Sequence, residues 1–200
     1  MPVATPPIGR RERNKQEKLQ RITAAARELF AEHGVDEVTT QQVAEKADIG
    51  TGTLFLYAKT KGELLLLVQN SGYADALREG KAAAERLADA LDAVMAIIRP
   101  VVVCNRIQID NGRTYLRELV FGDPEEPHHR DALTLTVQTE EAIADVLRRD
   151  DRIGSDDAAT VARVVSAIMF VSMASPANIA RTVDDILQEI RDQVRVLLPR

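Results

Sequence analysis

The feature that most constrains the fold lies between residues 19 and 57. Leu19, Ile22, Ala26, Leu29 and Phe30 recur at spacings of three and four, which puts one apolar stripe on a helix of about 16 residues. Gly34 stands just past its end, where a left-handed stop is expected. Thr39 and Gln42 then fit the capping-box pattern, in which a threonine oxygen and a glutamine side chain satisfy the free amides at a helix start. Val43, Ala44 and Ala47 face inward, Asp48-Ile49-Gly50 reads as a tight turn, and residues 51–57 read as a third short helix. Two short helices joined by a three-residue turn form a helix-turn-helix, whose second member can lie in the DNA major groove.

The composition of that second member suits such a surface. In TGTLFLY, Gly52 removes the side chain that would hold the backbone away from phosphate, and Thr51 and Thr53 can donate to an oxygen or touch a thymine methyl. Leu54 is the anchor into the small core, which leaves Phe55, Leu56 and Tyr57 as a bulky front; plain hydrophobic packing is the competing reading for these three. Charge agrees with an anionic partner locally although the chain as a whole carries a net charge of -5. Residues 1–62 hold 10 Lys and Arg against 8 Asp and Glu, and residues 10–21 alone hold six basic side chains, among them Arg10, Arg11, Arg13 and Lys15, against Glu12 and Glu17. Pro2, Pro6, Pro7 and Gly9 make residues 1–14 read as a flexible basic arm.

Residues 21–67, RITAAARELFAEHGVDEVTTQQVAEKADIGTGTLFLYAKTKGELLLL, resemble the N-terminal DNA-binding domain of TetR (tetracycline repressor-like) family transcriptional regulators. The resemblance rests on AARELFAEHG, TTQQVAEKADI, GTLFLY and K-x-ELL in the family's order and spacing, about a quarter of the chain. It implies an all-α protein: a three-helix helix-turn-helix domain over residues 15–60, and a larger helical domain over residues 61–200 that binds a small molecule and forms a homodimer. It also implies a cytoplasmic location, double-stranded operator DNA as partner, and most often repression relieved by the effector. Carried over position by position, it assigns DNA contacts to Thr39, Thr40 and Gln41 at the start of the second helix. In the recognition helix it assigns them to Thr51, Gly52, Thr53, Phe55, Leu56 and Tyr57, and at the start of the fourth helix it assigns a phosphate contact to Lys61. The departures are Gly50 where a serine cap is frequent, Thr51 where lysine is common, Phe55 for tyrosine and Ala58 for phenylalanine. They leave few charged donors on the reading surface, so apolar contact to thymine methyls, shape readout and the basic arm are expected to compensate.

The remaining two thirds also read as helices. A connector runs from Lys61 through Leu64, Leu67 and Val68; a stripe of Leu87, Leu91, Val94, Ile98 and Val101 meets Pro100, expected to kink or end its helix. Asn111-Gly112 and Gly122-Asp123-Pro124 read as breaks around a short helix at residues 114–121, and a further helix is expected over residues 130–149. ATVARVVSAIMFVSMA is apolar on nearly every side, so it needs cover on more than one face. In the last helix Val183, Leu187, Ile190, Val194 and Leu197 repeat like a coiled-coil seam, and with Val164, Ile168 and Val171 they are the expected dimer interface; an intramolecular core is the alternative. Polar or soft residues on otherwise apolar helices are the candidate effector lining: Asn105, Arg106, Gln108, Tyr115, Arg117, Gln138, Thr139, Met169 and Met173. With 4% aromatic residues and no tryptophan, no aromatic cage for a cation is expected.

Other classes find little support. No apolar run approaches the roughly 20 residues that span a bilayer, so no membrane partner is expected. Cys104 is the single cysteine and reads as a small buried hydrophobe. His128 and His129 are adjacent and would point in different directions on a helix, which does not make a metal site; His33 is remote in sequence. No phosphate loop, nucleophile elbow or nucleotide fingerprint is present, so neither an enzyme nor a cofactor is expected. A ligand-independent DNA-binding protein remains the principal alternative, and a helical enzyme a more remote one.

Overall fold

The computed structural model describes residues 9–199. Its elements are α1 (Arg10–His33), α2 (Thr40–Lys46), α3 (Thr51–Leu54), α4 (Lys61–Ala84), α5 (Ala90–Arg106), α6 (Ile109–Phe121), α7 (Pro127–Leu147), α8 (Ser155–Ala174), a 3-10 turn (Pro176–Asn178) and α9 (Val183–Leu197). The protein is all-α, with an N-terminal helix-turn-helix followed by a larger helical body.

The first helix is longer than its apolar stripe implied, at 24 residues. After Gly9 the run RRERNKQEKLQR contains no breaker and consists largely of good helix formers, so the helix extends out to Arg10. This corrects the expected flexible arm over residues 10–14, whose Arg10, Arg11 and Arg13 stand on helical turns; residues 1–8 of the arm lie outside the described residues. The capping box at α2 is formed: Thr39 Oγ1 accepts from the Gln42 amide at 3.2 Å, and Gln42 Oε1 accepts from the Thr39 amide at 2.8 Å. Asp48 takes the left-handed turn between α2 and α3, at φ 53°. Ile22, Ala26, Phe30, Val43, Ala44 and Leu54 close the small core beneath the motif.

From there α4 runs back through the body, packed on α1, α5, α6 and α7. Its approach to α5 is a backbone contact: a Cβ on Gly80 would stand 2.8 Å from both Cα and O of Ile97 and 3.0 Å from the Ala96 carbonyl. Pro100, expected to kink or end its helix, lies within α5, which continues to Arg106. Pro100 removes the N–H that the Ala96 carbonyl would receive. Buried Ile97, Ile98, Val101 and Val102 hold the helix on either side of that missing bond.

Asn111 and Gly112 are likewise not a break but the first turn of α6, capped by Gln108, whose Oε1 accepts from the Asn111 amide at 2.6 Å. A Cβ on Gly112 would lie 2.1 Å from the Asn105 carbonyl, so glycine is what lets the start of α6 sit against the end of α5. The buried Asn111 amide then reaches the helix-turn-helix, with Nδ2 donating to the Phe30 carbonyl and Oδ1 accepting from the Val35 amide, both at 2.7 Å.

The most apolar helix is interrupted by Arg163, so no uninterrupted apolar run reaches bilayer length. Ser155–Ala174 is long and apolar enough to cross a membrane by length and composition, with a mean hydropathy of 1.5 in its most apolar window, 39% of which is buried. Its inner face packs on α6, α7 and α9, and its outer face is also apolar.

Asn111→Ala is expected to destabilise the fold. The Phe30 carbonyl keeps the Gly34 amide, but the Val35 amide is left buried without its partner, a cost of about 1–3 kcal/mol. Thermal unfolding followed by circular dichroism should show a midpoint several degrees lower, at roughly 2–4 °C per kcal/mol for a chain of this size.

Candidate nucleic-acid interface and effector cavity

The reading segment projects outward. Leu56 is 84% exposed and Phe55 43%, whereas Leu54 between them and the motif's core is 1% exposed. Gly52 is exposed, and a Cβ on Gly50 or Gly52 would meet nothing within 4 Å, so the protein's own packing does not require glycine at either place. Thr51, Thr53 and Tyr57 are half-buried at the edges of this surface; Thr40 is half-buried and Thr39 and Gln41 exposed at the start of α2, with Gln41 Nε2 donating to Glu45 at 2.9 Å. Between Ile49 and Ala58 there is no charged residue.

The cations stand around that apolar centre. Arg10, Arg11, Arg13 and Lys15 are exposed on the first turns of α1. The Tyr57 hydroxyl donates to the Lys15 carbonyl at 3.4 Å, which ties the end of the reading segment to this basic half of α1. Lys61 is half-buried and donates to the Asp36 carbonyl at 3.0 Å, stapling the α1–α2 connection to α4. Lys46 pairs with Glu28 at 2.6 Å, and Arg21 with Asp48 at 3.4 Å.

A joint that the sequence did not reveal sits behind the reading segment. His128, in the first turn of α7, places Nε2 2.8 Å from the Tyr57 carbonyl; a carbonyl only accepts, so Nε2 carries the proton. The His128 amide donates to Glu63 at 3.3 Å, and its carbonyl accepts from Asn70 Nδ2 at 2.9 Å. Next to it, Lys59 donates to Glu126 at 2.5 Å, and this partner raises the pKa of the lysine. Burial pushes the Glu63 carboxyl above the usual range, while His128 opposes that shift. The chain PEEPHHRD carried one usable signal: a proline suited to a helix's first position puts His128 one residue inside α7. Among the described residues, no group of three or more His, Cys, Asp or Glu converges in a way that could hold a metal ion.

Tyr115 continues the joint inward, its hydroxyl donating to Asn70 at 2.9 Å. It stacks on Tyr73 with ring centroids 4.4 Å apart, and both rings line a cavity of about 60 Å³ between α4, α5, α6, α7 and α8. Of the nine candidate lining residues, Tyr115, Thr139, Met169 and Met173 border this cavity. The other five do not. Asn105 is buried and donates to Tyr73 Oη at 2.6 Å and to the Gly112 carbonyl at 3.1 Å. Arg106 donates to the carbonyls of Asn178, Ile179 and Arg181 at 2.9–3.1 Å, closing the 3-10 turn. Gln108 caps α6, and Arg117 and Gln138 are exposed on the surface. The residues that sequence reasoning missed are the apolar ones, such as Leu116, Leu119, Leu135 and Phe170, which composition alone cannot separate from core.

The expected dimer seam on α9 also needs correction. Leu187, Ile190 and Val194 are 5%, 0% and 0% exposed, because that face packs on α5 and α8 of the same chain. Val183 is half-buried and Leu197 37% exposed. The apolar face left open belongs to α8, where Val164 is 41% and Val171 63% exposed, with Ile168 half-buried between them.

Comparison with known proteins agrees with this geometry. The sequence model of the family "Bacterial regulatory proteins, tetR family" matches residues 22–68. No curated protein matches the sequence. Among solved structures, FadR of Thermus thermophilus, a TetR-family transcriptional repressor in complex with lauroyl-CoA, is 23% identical with a TM-score of 0.72, over 91% of this chain and 96% of that one. A TetR transcriptional regulator from Rhodococcus sp. RHA1 is 19% identical with a TM-score of 0.70, over 92% and 97%. A TetR-family transcriptional regulator from Streptomyces coelicolor is 19% identical with a TM-score of 0.64, over 93% and 90%. At these identities the structures speak for the fold, and the sequence model speaks for the helix-turn-helix. Residues 22–68 are thus a DNA-binding domain of the tetR family of bacterial regulatory proteins, in a chain that has the fold of TetR-family transcriptional regulators over 91–92% of its length.

Proposed function

We propose that two copies of this chain bind a near-palindromic operator as a repressor and that a small apolar effector releases them. Residues up to 60 serve as the DNA-binding domain, and residues 61–200 as the effector-binding and dimerisation domain. The observation that carries this reading is the uncharged, outward-facing surface of Phe55 and Leu56, flanked by the basic turns of α1. Leu56 and Phe55 would meet thymine methyls, Thr39, Thr40, Gln41, Thr51 and Thr53 would meet phosphates or base edges, and Arg10, Arg11 and Lys15 would meet flanking phosphates.

Dimerisation supplies what one short helix lacks. The open face of α8, with Val164, Ile168 and Val171, suits burial against a second copy. Two reading segments related by a twofold axis would fall on half-sites about 34–36 Å apart. An effector that enlarges the cavity favours a form whose reading segments are wrongly spaced; by linkage, DNA then weakens effector binding by the same factor. The lauroyl-CoA complex of the Thermus protein, whose ligand carries an apolar acyl chain, supports an effector with an apolar body in this fold.

Selecting fragments of genomic DNA with purified protein tests the reading, and a preference below about 10³-fold over random duplex would sink it in favour of unspecific binding. On the selected site, Leu56→Ala is expected to lower affinity about tenfold in fluorescence anisotropy while leaving random-sequence binding unchanged. Between 50 and 200 mM salt, operator affinity should fall roughly 10³- to 10⁵-fold if 6–10 phosphates are neutralised. Val171→Glu should shift the protein to monomer in analytical ultracentrifugation and weaken operator binding at least 100-fold; a stable dimer would place the interface elsewhere.

A further inference from the structure

His129, in the first turn of α7, is 3% exposed, and neither ring nitrogen has a hydrogen-bond partner among the described residues. An imidazole brings a donor and an acceptor into the interior, and burying them unpaired is unfavourable. Its ring lies against the end of α6, where a Cβ on Gly122 would stand 2.7 Å from Cδ2 and 3.3 Å from Nε2. His129 precedes Ala132 by three residues, one turn along the same face of α7, and Gly122 caps the helix that carries Leu119. Leu119 and Ala132 both line the cavity. By this spacing the imidazole falls one turn before Ala132 on the α7 face that borders the cavity, next to the lining and not part of it.

The lining itself makes few polar demands. It includes no charged side chain. The Tyr115 hydroxyl donates to Asn70, the Tyr73 hydroxyl accepts from Asn105, and the Thr136 and Thr139 hydroxyls donate to the carbonyls of Ala132 and Leu135, while Ser166 adds one further hydroxyl from α8. We propose that the effector is an elongated apolar molecule ending in a hydrogen-bond acceptor, a carboxylate or a carbonyl, with its body in the cavity and its acceptor oxygen on the His129 ring N–H. This rests on the effector-released reading above.

Size and position connect the site to DNA release. At about 60 Å³ the cavity is well below the roughly 300–1,000 Å³ of ligand pockets, so an elongated body would enlarge it by moving α6, α7 or α8. The head group would engage the residue that follows His128, whose ring, amide and carbonyl hold Tyr57, Glu63 and Asn70. The turn of α7 that receives the ligand is the turn that holds the reading segment.

The test uses matched probes on the full chain: 5-phenylpentanoate, its methyl ester, and pentylbenzene, which lacks an acceptor. In isothermal titration calorimetry, His129→Leu should weaken the two acceptor-headed probes at least tenfold and leave pentylbenzene within about threefold. His129→Gln, which keeps an N–H, should fall between wild type and His129→Leu. The His129 ring nitrogen resonance should move with the acceptor-headed probes alone. Equal losses for all three probes, unchanged affinity in His129→Leu, or no binding of either acceptor-headed probe overturns the proposal. Operator affinity of the ligand-free wild type is measured in parallel: if it stands while calorimetry fails, only the effector assignment falls, and if it is absent, the regulator reading falls.

Discussion

The first turn of α7 holds the DNA-binding domain in place. From one residue, His128, it offers a ring N–H to the Tyr57 carbonyl, an amide to Glu63 and a carbonyl to Asn70. Tyr57 ends the reading segment, Glu63 opens α4, and Asn70 carries the link on to Tyr115 at the cavity. Each bond is modest in net free energy, but each satisfies a group that burial would otherwise leave unpaired, so the set resists partial loss. A reading segment of four helical residues has little rigidity of its own and takes its orientation from this support.

The second joint is of a different kind. Asn111 places one amide between the end of α1 and the connection to α2, far along the chain from either. With Lys61 bonded to Asp36, it fixes the α1–α2 side of the domain against α4 and α6, while α7 fixes the α3 side. The domain is thus gripped at both flanks by the helices that border the cavity. A change in the spacing of α6 and α7 has two direct routes to the exposed surface of Phe55 and Leu56, and neither requires a change within the helix-turn-helix itself.

How much of this the sequence discloses depends on whether a feature is local. Thr39 and Gln42 were readable because a capping box closes within three residues, and Gly34 because a helix stop involves only its own end. Gly112 was not, since its role is set by the Asn105 carbonyl that crowds it, and in isolation Asn-Gly reads as a turn. The spacing of Leu187, Ile190 and Val194 shows that a face is covered but not by which helix, and α5 and α8 of the same chain cover it. Polar residues on apolar helices were a poor guide to the cavity because Asn105, Arg106 and Gln108 serve backbone and side-chain groups nearby. His128 was legible as a residue of α7 but not as a partner of Tyr57, 71 positions away.

The backbone contact at Gly80 limits how the body can deform. At that turn α4 lies directly on Ile97 and on the carbonyl that Pro100 leaves without a helical donor, so no side-chain layer separates the two helices there. A residue larger than glycine at position 80 would wedge them apart, and sliding of one helix past the other is opposed at this point by backbone against backbone.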